Sequence, residues 1–350
     1  MRAIQRVPLL QIDLSDDTFS VNFMADLERL RSSIEEVGLI QPVLLRKQGD
    51  AYQIISGFRR ISVFKDLGHS EIEARISGKE DGDEPGLFSL ALHENMMTRG
   101  FNSAEKAIAL DKLVHRFLLD PTVVIRTFLP LLSLEPHEKI LKTYLSLAGM
   151  EEEVKNYVVK EEVSRQNIRL LSGYTSEDRQ AVIRLLPYLK LTDSRLREIL
   201  TLVEEVSRRD GTPVRDILNR PEIGQVLSEK ALTSSQRAER LKKVVTHLRY
   251  PRRRQMEMDF ESRKRNLDLS SGISIYHSPN FEDPTLRIEF QFETLEEYRA
   301  VLSSLRMLPE KKGFQEMLSI KHEIPGTKSP PPSPSPSRGE GEGGGEKALI

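Results

Sequence analysis

The sequence predicts a multidomain α+β protein, and three observations carry that prediction. Strand and helix signals alternate from Ile4 to Ile76, whereas nearly every segment from Asn102 to Leu218 has the apolar periodicity of a helix. Two alternating strands and an amphipathic helix follow in "GISIYHS", "LRIEFQFET" and "LEEYRAVLSSLRML". A chain of 350 residues is long enough to build several hydrophobic cores.

Within the first domain, the apolar patterns predict a small mixed sheet with two helices. "VPLLQIDL" predicts a strand, "IQPVLLRK" and "YQIISG" predict a hairpin, and "EIEARI" predicts a further strand. One helix is expected to end at Gly38 and another, in "RRISVFKDLG", at Gly68. The first helix has one apolar face, formed by Leu27, Leu30, Ile34 and Val37.

Composition excludes several classes of protein. Lys and Arg number 52 against 53 for Asp and Glu, so any nucleic-acid surface must be a local patch. The absence of cysteine excludes a disulfide framework, a thiolate zinc site and cysteine-based catalysis. The amino-terminal apolar run is short and no later run could span a bilayer, which predicts a cytoplasmic protein with no membrane partner.

Two adjacent arginines follow a predicted strand and glycine in "YQIISGFRR". Gly57 permits a tight turn, and the backbone N–H groups that begin the next helix lie beside Arg59 and Arg60. Helix N-terminal donors and guanidinium groups together favour phosphate. Two solvated arginines after an ordinary turn are the alternative interpretation.

A second polar cluster lies in "LHENMMTRGFNSAEKA". Glu94 and Asn95 offer oxygen ligands for a hard cation, and Arg99 offers another phosphate partner. Magnesium commonly joins a few protein oxygens to substrate phosphates, so this pair makes sense beside a nucleotide. The alternative is that Glu94 and Asn95 simply end a helix, with Asn102 or Ser103 as the N-cap of the next.

Three stretches resemble the ParB family in the same order along the chain. "LERLRSSIEEVGLIQPVLLR" is similar to that family's helix and "GL.QP" strand, and "YQIISGFRR" to its "GERR" box. "ALHENMMTRGFNSAEKA" is similar to the "EN..R..LNP.E.A" box with unchanged spacing. The resemblance to ParB-type partition proteins implies a ParB/sulfiredoxin-like α+β first domain. Sulfiredoxin itself needs a reactive cysteine, which this sequence lacks.

The resemblance further implies that the first domain binds CTP with Mg²⁺. Asn95 is then the metal ligand and Glu94 the residue that assists hydrolysis. Gln41 would lie near the base, with the other residues around the triphosphate. The implied nucleotide-binding residues are Gln41, Gly57, Arg59, Arg60, Asn95 and Arg99.

The sequence also departs from the family pattern at both boxes. Phe58 replaces an acid, and Ser62 replaces an arginine that usually follows the first box. In the second box Met97 and Thr98 replace a frequent glutamine and arginine, and Arg99 is displaced by one position, which on a helix turns a side chain by about a quarter of a turn or more. We therefore expect a nucleotide switch that is at most a slow CTP hydrolase.

In the middle domain the resemblance places a helix-turn-helix. "TVVIRTFLPLLSLEPHEKILKTYLSLAGM" predicts a first helix to about Leu132, a turn at "SLEP" and a reading helix from His137. Glu135 and Glu138 lie beside the two lysines of that helix and weaken its attraction to phosphates. A helix that reads DNA and a degenerate helix that does not are therefore both open alternatives. The predicted packing face is Leu134, Ile140, Leu141 and Tyr144. The predicted DNA contacts are His137, Lys139, Lys142, Thr143 and Arg169, with Glu138 also expected to be exposed.

The carboxyl-terminal third contains three different kinds of segment. Residues from Leu241 to Leu269 are charged and predict an exposed linker or basic arm, whose arginines either contact phosphates or merely keep the segment extended. The ββα unit resembles the family's dimerisation domain and is too small to bury its own core, so we expect a homodimer. The tail is rich in Pro, Ser, Gly and Glu, which predicts disorder.

The predicted domains therefore follow one another along the chain. They are a nucleotide-binding domain over 1–110, a helix-turn-helix domain over 111–225, a charged helix or linker over 226–270, a dimerisation domain over 271–322 and a disordered tail over 323–350.

The function implied by the resemblance is that of a CTP-responsive dimeric clamp on DNA in chromosome or plasmid partition. It would load at a specific DNA site, spread to nonspecific flanks and work with a ParA-type ATPase. Two alternatives remain open on the sequence. One is a ParB-related transcription regulator or nucleoid-associated protein that has lost the hydrolysis cycle, and the other is a nucleotide-dependent protein-interaction module.

Overall fold

The computed structural model divides the chain into two compact units, Met1–Arg249 and Tyr250–Ile350. The tail predicted to be disordered, 323–350, lies outside the described residues. The structure describes residues 4–319 apart from 79–81, 268, 270–271, 279–280 and 282–284.

A mixed five-stranded sheet opens the first unit. Its spatial order is β1-β5-β3-β4-β2, with β3 antiparallel to β4 and parallel to β5. The predicted hairpin and the final strand are confirmed, whereas the first predicted strand is two short ones because a 3₁₀ turn at Leu9–Gln11 interrupts it. The strands are β1 Ile4–Pro8, β2 Ile12–Asp13, β3 Val43–Gln48, β4 Ala51–Ser56 and β5 Glu71–Ser77.

Two helices accompany the sheet, α1 over Glu28–Val37 and α2 over Phe58–Asp66. The predicted helix ends are confirmed, since Gly38 and Gly68 both have positive φ angles, of 75° and 78°. Ile34 of the predicted apolar face is buried, and Leu27 and Leu30 pack against the same core. Val37, in the last position of α1, is 61% exposed, so the packing face ends before it.

The rest of the first unit is helical, as predicted. Asn102 is the N-cap of α4, and it forms a reciprocal capping box with Glu105. Single π-helical turns occur at Lys112–Arg116 and Val124–Phe128. The helices are α3 Glu84–Thr98, α4 Ser103–Asp111, α5 Pro121–Val123, α6 Leu129–Leu131, α7 Glu138–Ala148, α8 Glu152–Lys160, α9 Arg165–Ser172, α10 Ser176–Leu185, α11 Asp193–Asp210, α12 Val214–Leu218, α13 Pro221–Ser228 and α14 Ser234–Arg249.

Two hydrophobic cores stabilise this unit. The smaller one lies between the sheet and helices α1 and α2, around Val43, Leu45 and Ile61. The larger one joins the helices from α3 onward and also contains Phe19 and Val21, which precede α1 in the sequence. The segment before α1 is therefore packed into the helical core, and it connects the two halves of the unit.

The charged segment from Leu241 to Leu269 is mainly helical, which agrees with the predicted charged helix over 226–270 and not with an exposed linker or basic arm. It forms the end of α14 and, in the second unit, helix α15 over Pro251–Arg265. Leu241 and Val245 are buried in the first unit, and Phe260 is buried in the second. The expectation of an exposed arm was wrong because each helix buries only a narrow apolar stripe, which the many charged residues obscure in the sequence.

The described part of the second unit contains a hairpin and three α-helices. Strand β6, Ile273–His277, pairs antiparallel with β7, Leu286–Phe290. Helix α16, Leu295–Met307, follows as predicted, and α17, Lys312–Ser319, was not predicted. The described core of this unit contains Phe260, Leu267, Ile275, Phe281, Leu308 and Met317.

The apolar periodicity of α16 predicts one face formed by Leu295, Tyr298, Leu302 and Leu305, and this face is only partly covered within one chain. Leu295 is 63% exposed and Leu302 is 43% exposed, whereas Leu305 packs against the core of the second unit. Val301, outside this face, is buried. Among the described residues no helix is both long and apolar enough to cross a membrane.

One ion pair of the helical region gives a pH-dependent stability. Arg179 donates to both carboxylate oxygens of Glu151 at 2.9 Å, and these hydrogen bonds lower the Glu151 pKa from 4.5 to about 2. Because the pKa falls on folding, the stabilisation is complete above about pH 4.5 and is lost as pH falls toward 2. We expect Glu151→Gln to destabilise the protein by about 1 kcal/mol at neutral pH and to flatten this acid dependence in chemical unfolding.

The matched control is Glu153→Gln on the exposed side of the same helix. It should destabilise the protein less than Glu151→Gln does and leave most of the acid dependence in place, because Glu153, in the first turn of α8, interacts mainly with the dipole of the helix. Equal acid profiles for wild type and Glu151→Gln would contradict the assignment.

Candidate functional site

The two polar clusters singled out in the sequence lie around a single cleft of about 460 Å³. The cleft lies among the end of α1, the start of α2 and the end of α3. Each residue predicted to bind nucleotide lines it, as does Glu94. These residues are Gln41, Gly57, Arg59, Arg60, Glu94, Asn95 and Arg99.

The turn from β4 into α2 depends on Gly57. Its φ angle is 104°, a left-handed conformation that residues with a Cβ rarely adopt. A Cβ on Gly57 would also lie 2.6 Å from Cγ1 of buried Val43. The missing side chain thus lets β4 turn directly into α2, whose first backbone N–H groups have no partner inside the helix.

Arg60 is held by three groups at the edge of the cleft. Its guanidinium donates to the backbone oxygens of Gln41 and Pro42 at 2.8 and 3.0 Å. It also donates to Oε1 of Glu94 at 2.6 Å, and the Gln41 side chain donates to that same oxygen at 2.8 Å. Arg60 and Gln41, which come from different elements, therefore converge on one carboxylate.

Arg59 and Arg99 share a different carboxylate, that of Glu105. Their guanidinium groups donate to its two oxygens at 2.6 and 2.7 Å. Glu105 is only 1% exposed, and it also accepts from the backbone N–H groups of Phe23 and Asn102. Arg59 additionally donates to the Asn22 side chain at 3.0 Å. Glu105 therefore fixes both arginines from beneath the cleft.

Sequence reasoning missed Glu105. A signal for its position existed, because "NSAE" has the spacing of a capping box, with an N-cap residue and a Glu three positions later. The capping box predicts only that Glu105 reaches back to the helix start. Its second role, as the shared partner of Arg59 and Arg99, depends on the tertiary structure, because Arg59 lies 46 residues away in the sequence.

Positive charge exceeds negative charge along the cleft. The arginines that line it are Arg29, Arg59, Arg60 and Arg99, and the carboxylates that line it are Asp26 and Glu94. Partial burial, followed by the nearby charge of Arg99, lowers the pKa of Arg59. Glu105 neutralises one of these two guanidinium charges, so Arg59, Arg99 and Glu105 together keep a net positive charge that favours an anionic ligand.

Asn95 is the predicted metal ligand. Its surroundings are compatible with a cation only if a bound ligand supplies most of the coordinating oxygens. Its Oδ1 accepts from Nε of Arg99 at 3.2 Å, and its Nδ2 donates to the Ala91 carbonyl at 2.8 Å. The described part of the chain has no cluster of three or more His, Asp or Glu residues suited to a metal ion. A cation would thus need most of its oxygens from a ligand, as Mg²⁺ often does with phosphates.

The residues that depart from the family pattern have identifiable partners. Phe58 is partly buried and packs against both cores of the first unit. The Ser62 hydroxyl donates to the Phe58 carbonyl at 3.0 Å, so it remains on the surface of α2. Arg99 follows the last residue of α3 and has left the helical conformation, with a φ angle of −145°. It therefore lines the cleft despite its displacement by one position.

Helix α7 occupies the place of the predicted reading helix. His137 is its N-cap and accepts from the Lys139 backbone N–H at 3.1 Å. Lys142 pairs with Glu138 at 2.6 Å. The prediction that Thr143 is an exposed DNA contact is wrong, because the residue is buried and its hydroxyl donates to the Lys139 carbonyl at 2.8 Å.

Part of the predicted packing face of α7 is confirmed, since Leu134, Leu141 and Tyr144 are buried and Ile140 is partly buried. Arg169, predicted to contact DNA, is exposed on α9. Sequence reasoning missed Arg165, which lies at the start of α9 and donates to both oxygens of Glu135. These bonds lower the pKa of Glu135 to about 2, so it is charged at neutral pH.

Comparison with known proteins relates the amino-terminal part of the chain to a known domain family. Residues 2–96 match the family model of the ParB N-terminal domain. The chain therefore carries a ParB N-terminal domain.

Curated relatives extend this similarity beyond the domain. The chromosome-partitioning protein ParB of Myxococcus xanthus is 28% identical over 214 residues, which cover 54% of this chain and 69% of that protein. A nucleoid occlusion protein of Bacillus cereus is 25% identical over 206 residues, covering 56% and 67%. A probable ParB of Coxiella burnetii is 29% identical over 181 residues, covering 45% and 61%. This protein is thus a homologue of the ParB and nucleoid occlusion proteins.

Solved structures similar to this chain include two ParB proteins. A pNOB8-like ParB N-domain covers 65% of this chain and 96% of its own, at 16% identity and a TM-score of 0.38. A truncated ParB of Caulobacter crescentus in complex with CTP-γ-S covers 52% and 97%, at 20% identity and a TM-score of 0.25. At such low TM-scores the relationship rests on the sequence matches.

We expect Gly57→Ala to destabilise the protein by about 2 kcal/mol or more. The left-handed conformation alone costs about 1–2 kcal/mol for a residue with a Cβ, and the contact with Val43 adds to it. Gly68→Ala is the matched control, since Gly68 has a φ angle of 78° but no atom within 4 Å of an added Cβ. Chemical unfolding should show the larger loss for Gly57→Ala, and equal losses would mean that the contact with Val43 is harmless.

Proposed function

We propose that the cleft binds CTP and that the protein is a CTP-responsive, DNA-binding protein of ParB type. The observation that carries this proposal is that both predicted phosphate clusters meet in one arginine-lined cleft inside a ParB N-terminal domain. Arg59, Arg60 and Arg99 provide guanidinium donors for a triphosphate, and the start of α2 adds backbone N–H groups. The similar Caulobacter protein was crystallised with a CTP analogue.

Within this proposal each residue has a distinct task. Arg59 and Arg99, fixed by Glu105, bind and orient phosphate oxygens, and Gln41 lies where the base would begin. Asn95 would hold Mg²⁺, which neutralises phosphate charge when bound. Glu94 could assist an attacking water only after leaving Arg60 and Gln41. Because both hold it in the free protein, we propose slow hydrolysis or none.

The helical part would bind DNA through α7 and the start of α9. Lys139, Lys142, Arg165 and Arg169 are the cationic side chains that α7 and α9 offer to phosphates, beside the His137 N-cap. The related Caulobacter protein has been crystallised on its centromeric parS site. The uncovered face of α16 supports a homodimer, since Leu295 and Leu302 would be buried by a second copy. A dimer that closes on CTP would act as a clamp in partition, with a ParA-type ATPase as partner.

A nucleoid-associated or regulatory role is the second candidate. Lys142 is paired with Glu138, and Arg165 is paired with Glu135. Internal carboxylates that neutralise cations reduce attraction to DNA phosphates. The similarity to nucleoid occlusion proteins, which are as closely related as several ParB proteins, favours this candidate as well.

Calorimetry with nucleotides tests the proposed ligand. We expect CTP with Mg²⁺ to bind the wild-type protein, and Arg60→Ala to lower the affinity at least tenfold, because a charge-assisted hydrogen bond to phosphate is worth about 1.5–3 kcal/mol. Arg31→Ala is the control, since Arg31 lies on α1, pairs with Glu35 and is not part of the cleft. No heat with CTP, or equal heats with CTP, ATP and GTP, would contradict a CTP site.

Genome-wide crosslinking separates the two candidate functions. A loading clamp predicts one sharp peak with flanking spread, which should disappear in Lys139→Ala if α7 contacts DNA. Many scattered peaks without spread favour the regulator or nucleoid-associated protein. If no site is enriched over background, the proposal of DNA binding is wrong and a protein-interaction module remains.

A further inference from the structure

Two carboxylates contact the arginines of the cleft, and they are held in different ways. Glu105 is 1% exposed and is bound by two guanidinium groups and two backbone N–H groups. The Glu94 side chain is 19% exposed, and the hydrogen bonds to its carboxylate come from the side chains of Arg60 and Gln41. Side chains can change rotamer far more easily than a capped helix start can move.

The Glu94 contacts occupy the donors that a phosphate would need. Arg60 and Gln41 both donate to one atom, Oε1 of Glu94, at 2.6 and 2.8 Å. A carboxylate oxygen and a phosphate oxygen are equivalent acceptors for these donors. The two backbone carbonyls that also bind Arg60 fix its guanidinium at the cleft whether or not Glu94 is present.

We propose that Glu94 is an internal competitor of the ligand phosphate, whereas Glu105 is a permanent counter-charge. In the free protein Glu94 binds Arg60 and Gln41, and an incoming triphosphate displaces it. The exchange costs one internal charge-assisted pair and therefore weakens ligand binding. This inference deepens the proposed function, because it rests on an anionic ligand in the same cleft and adds how the free site is regulated.

Displacement also has a consequence for the end of α3. Glu94 lies one residue before Asn95 and within the last turn of that helix, which ends at Thr98. A carboxylate released from Arg60 no longer connects α3 to the start of α2. Ligand binding thereby breaks a contact between two elements of the cleft in addition to forming new ones.

The test is calorimetry on the full chain with sodium tripolyphosphate and, separately, with CTP and Mg²⁺. Glu94→Gln keeps the size of the side chain but removes the charge that competes for Arg60. We expect it to bind tripolyphosphate about threefold to tenfold more tightly than the wild-type protein, a change of about 1 kcal/mol. Its thermal unfolding should occur at a slightly lower temperature than that of the wild type, because the substitution removes a charge-assisted pair that is about as exposed as the pair of Glu151.

Asp26→Asn is the matched control. Asp26 also lines the cleft, so the substitution removes the same charge, but the Asp26 carboxylate accepts from the Glu28 backbone N–H and not from Arg60. We expect a gain clearly smaller than that of Glu94→Gln. Equal gains in tripolyphosphate affinity for the two variants would show that the loss of one negative charge from the cleft explains the effect. That result would contradict the proposal that the ligand displaces Glu94.

The remaining outcomes separate this inference from the proposed function. If Glu94→Gln binds tripolyphosphate more tightly as predicted, but CTP binds no better than tripolyphosphate, the displacement of Glu94 is supported and the proposed CTP function is wrong. If CTP binds the wild-type protein and Glu94→Gln binds it equally or more weakly, the CTP function holds and the displacement fails. If Glu94→Gln binds neither anion, the inference is wrong, because a released Arg60 must bind phosphate.

Discussion

The buried carboxylate of Glu105 is the interaction on which the cleft depends. A carboxylate at 1% exposure is costly unless it is paired and hydrogen-bonded. Arg59 and Arg99 provide the charge, and the backbone of Phe23 and Asn102 provides the remaining donors. One side chain therefore fixes the start of α2, the end of α3, the start of α4 and the segment before α1. Without it the two guanidinium groups would repel each other.

The same residue joins the cleft to the helical half of the unit. Glu105 belongs to the first turn of α4, and α4 packs directly against α7. Phe19 and Val21, which precede the Phe23 contact, lie in the helical core. Lys112 and Arg116 bind Asp17 and Thr18 of the same segment. Helix α4 and the packed segment before α1 therefore connect the cleft to α7, the proposed DNA-binding helix.

The sequence was sufficient where local rules decide the structure. The hairpin, the ends of α1 and α2 and the capping of α4 follow from periodicity, glycine and capping preferences, which act over a few residues. The sequence was insufficient where contacts in the tertiary structure decide the position of a side chain. The partners of Glu105 lie 46 and 6 residues away, and Thr143 lies on the packing side of α7 although its polarity suggests exposure. The stripe that buries Val245 is too narrow to recognise among charged residues.

The proposed ligand is a nucleoside triphosphate that binds between the start of α2 and the end of α3. Hydrogen–deuterium exchange of the full chain with and without CTP and Mg²⁺ tests this claim directly, because it reports the backbone of each element separately. We expect slower exchange at the first turn of α2 and at the end of α3, and unchanged exchange in α10 and α12. Unchanged exchange at α2 and α3 under saturating CTP, or protection confined to other elements, would contradict this proposal.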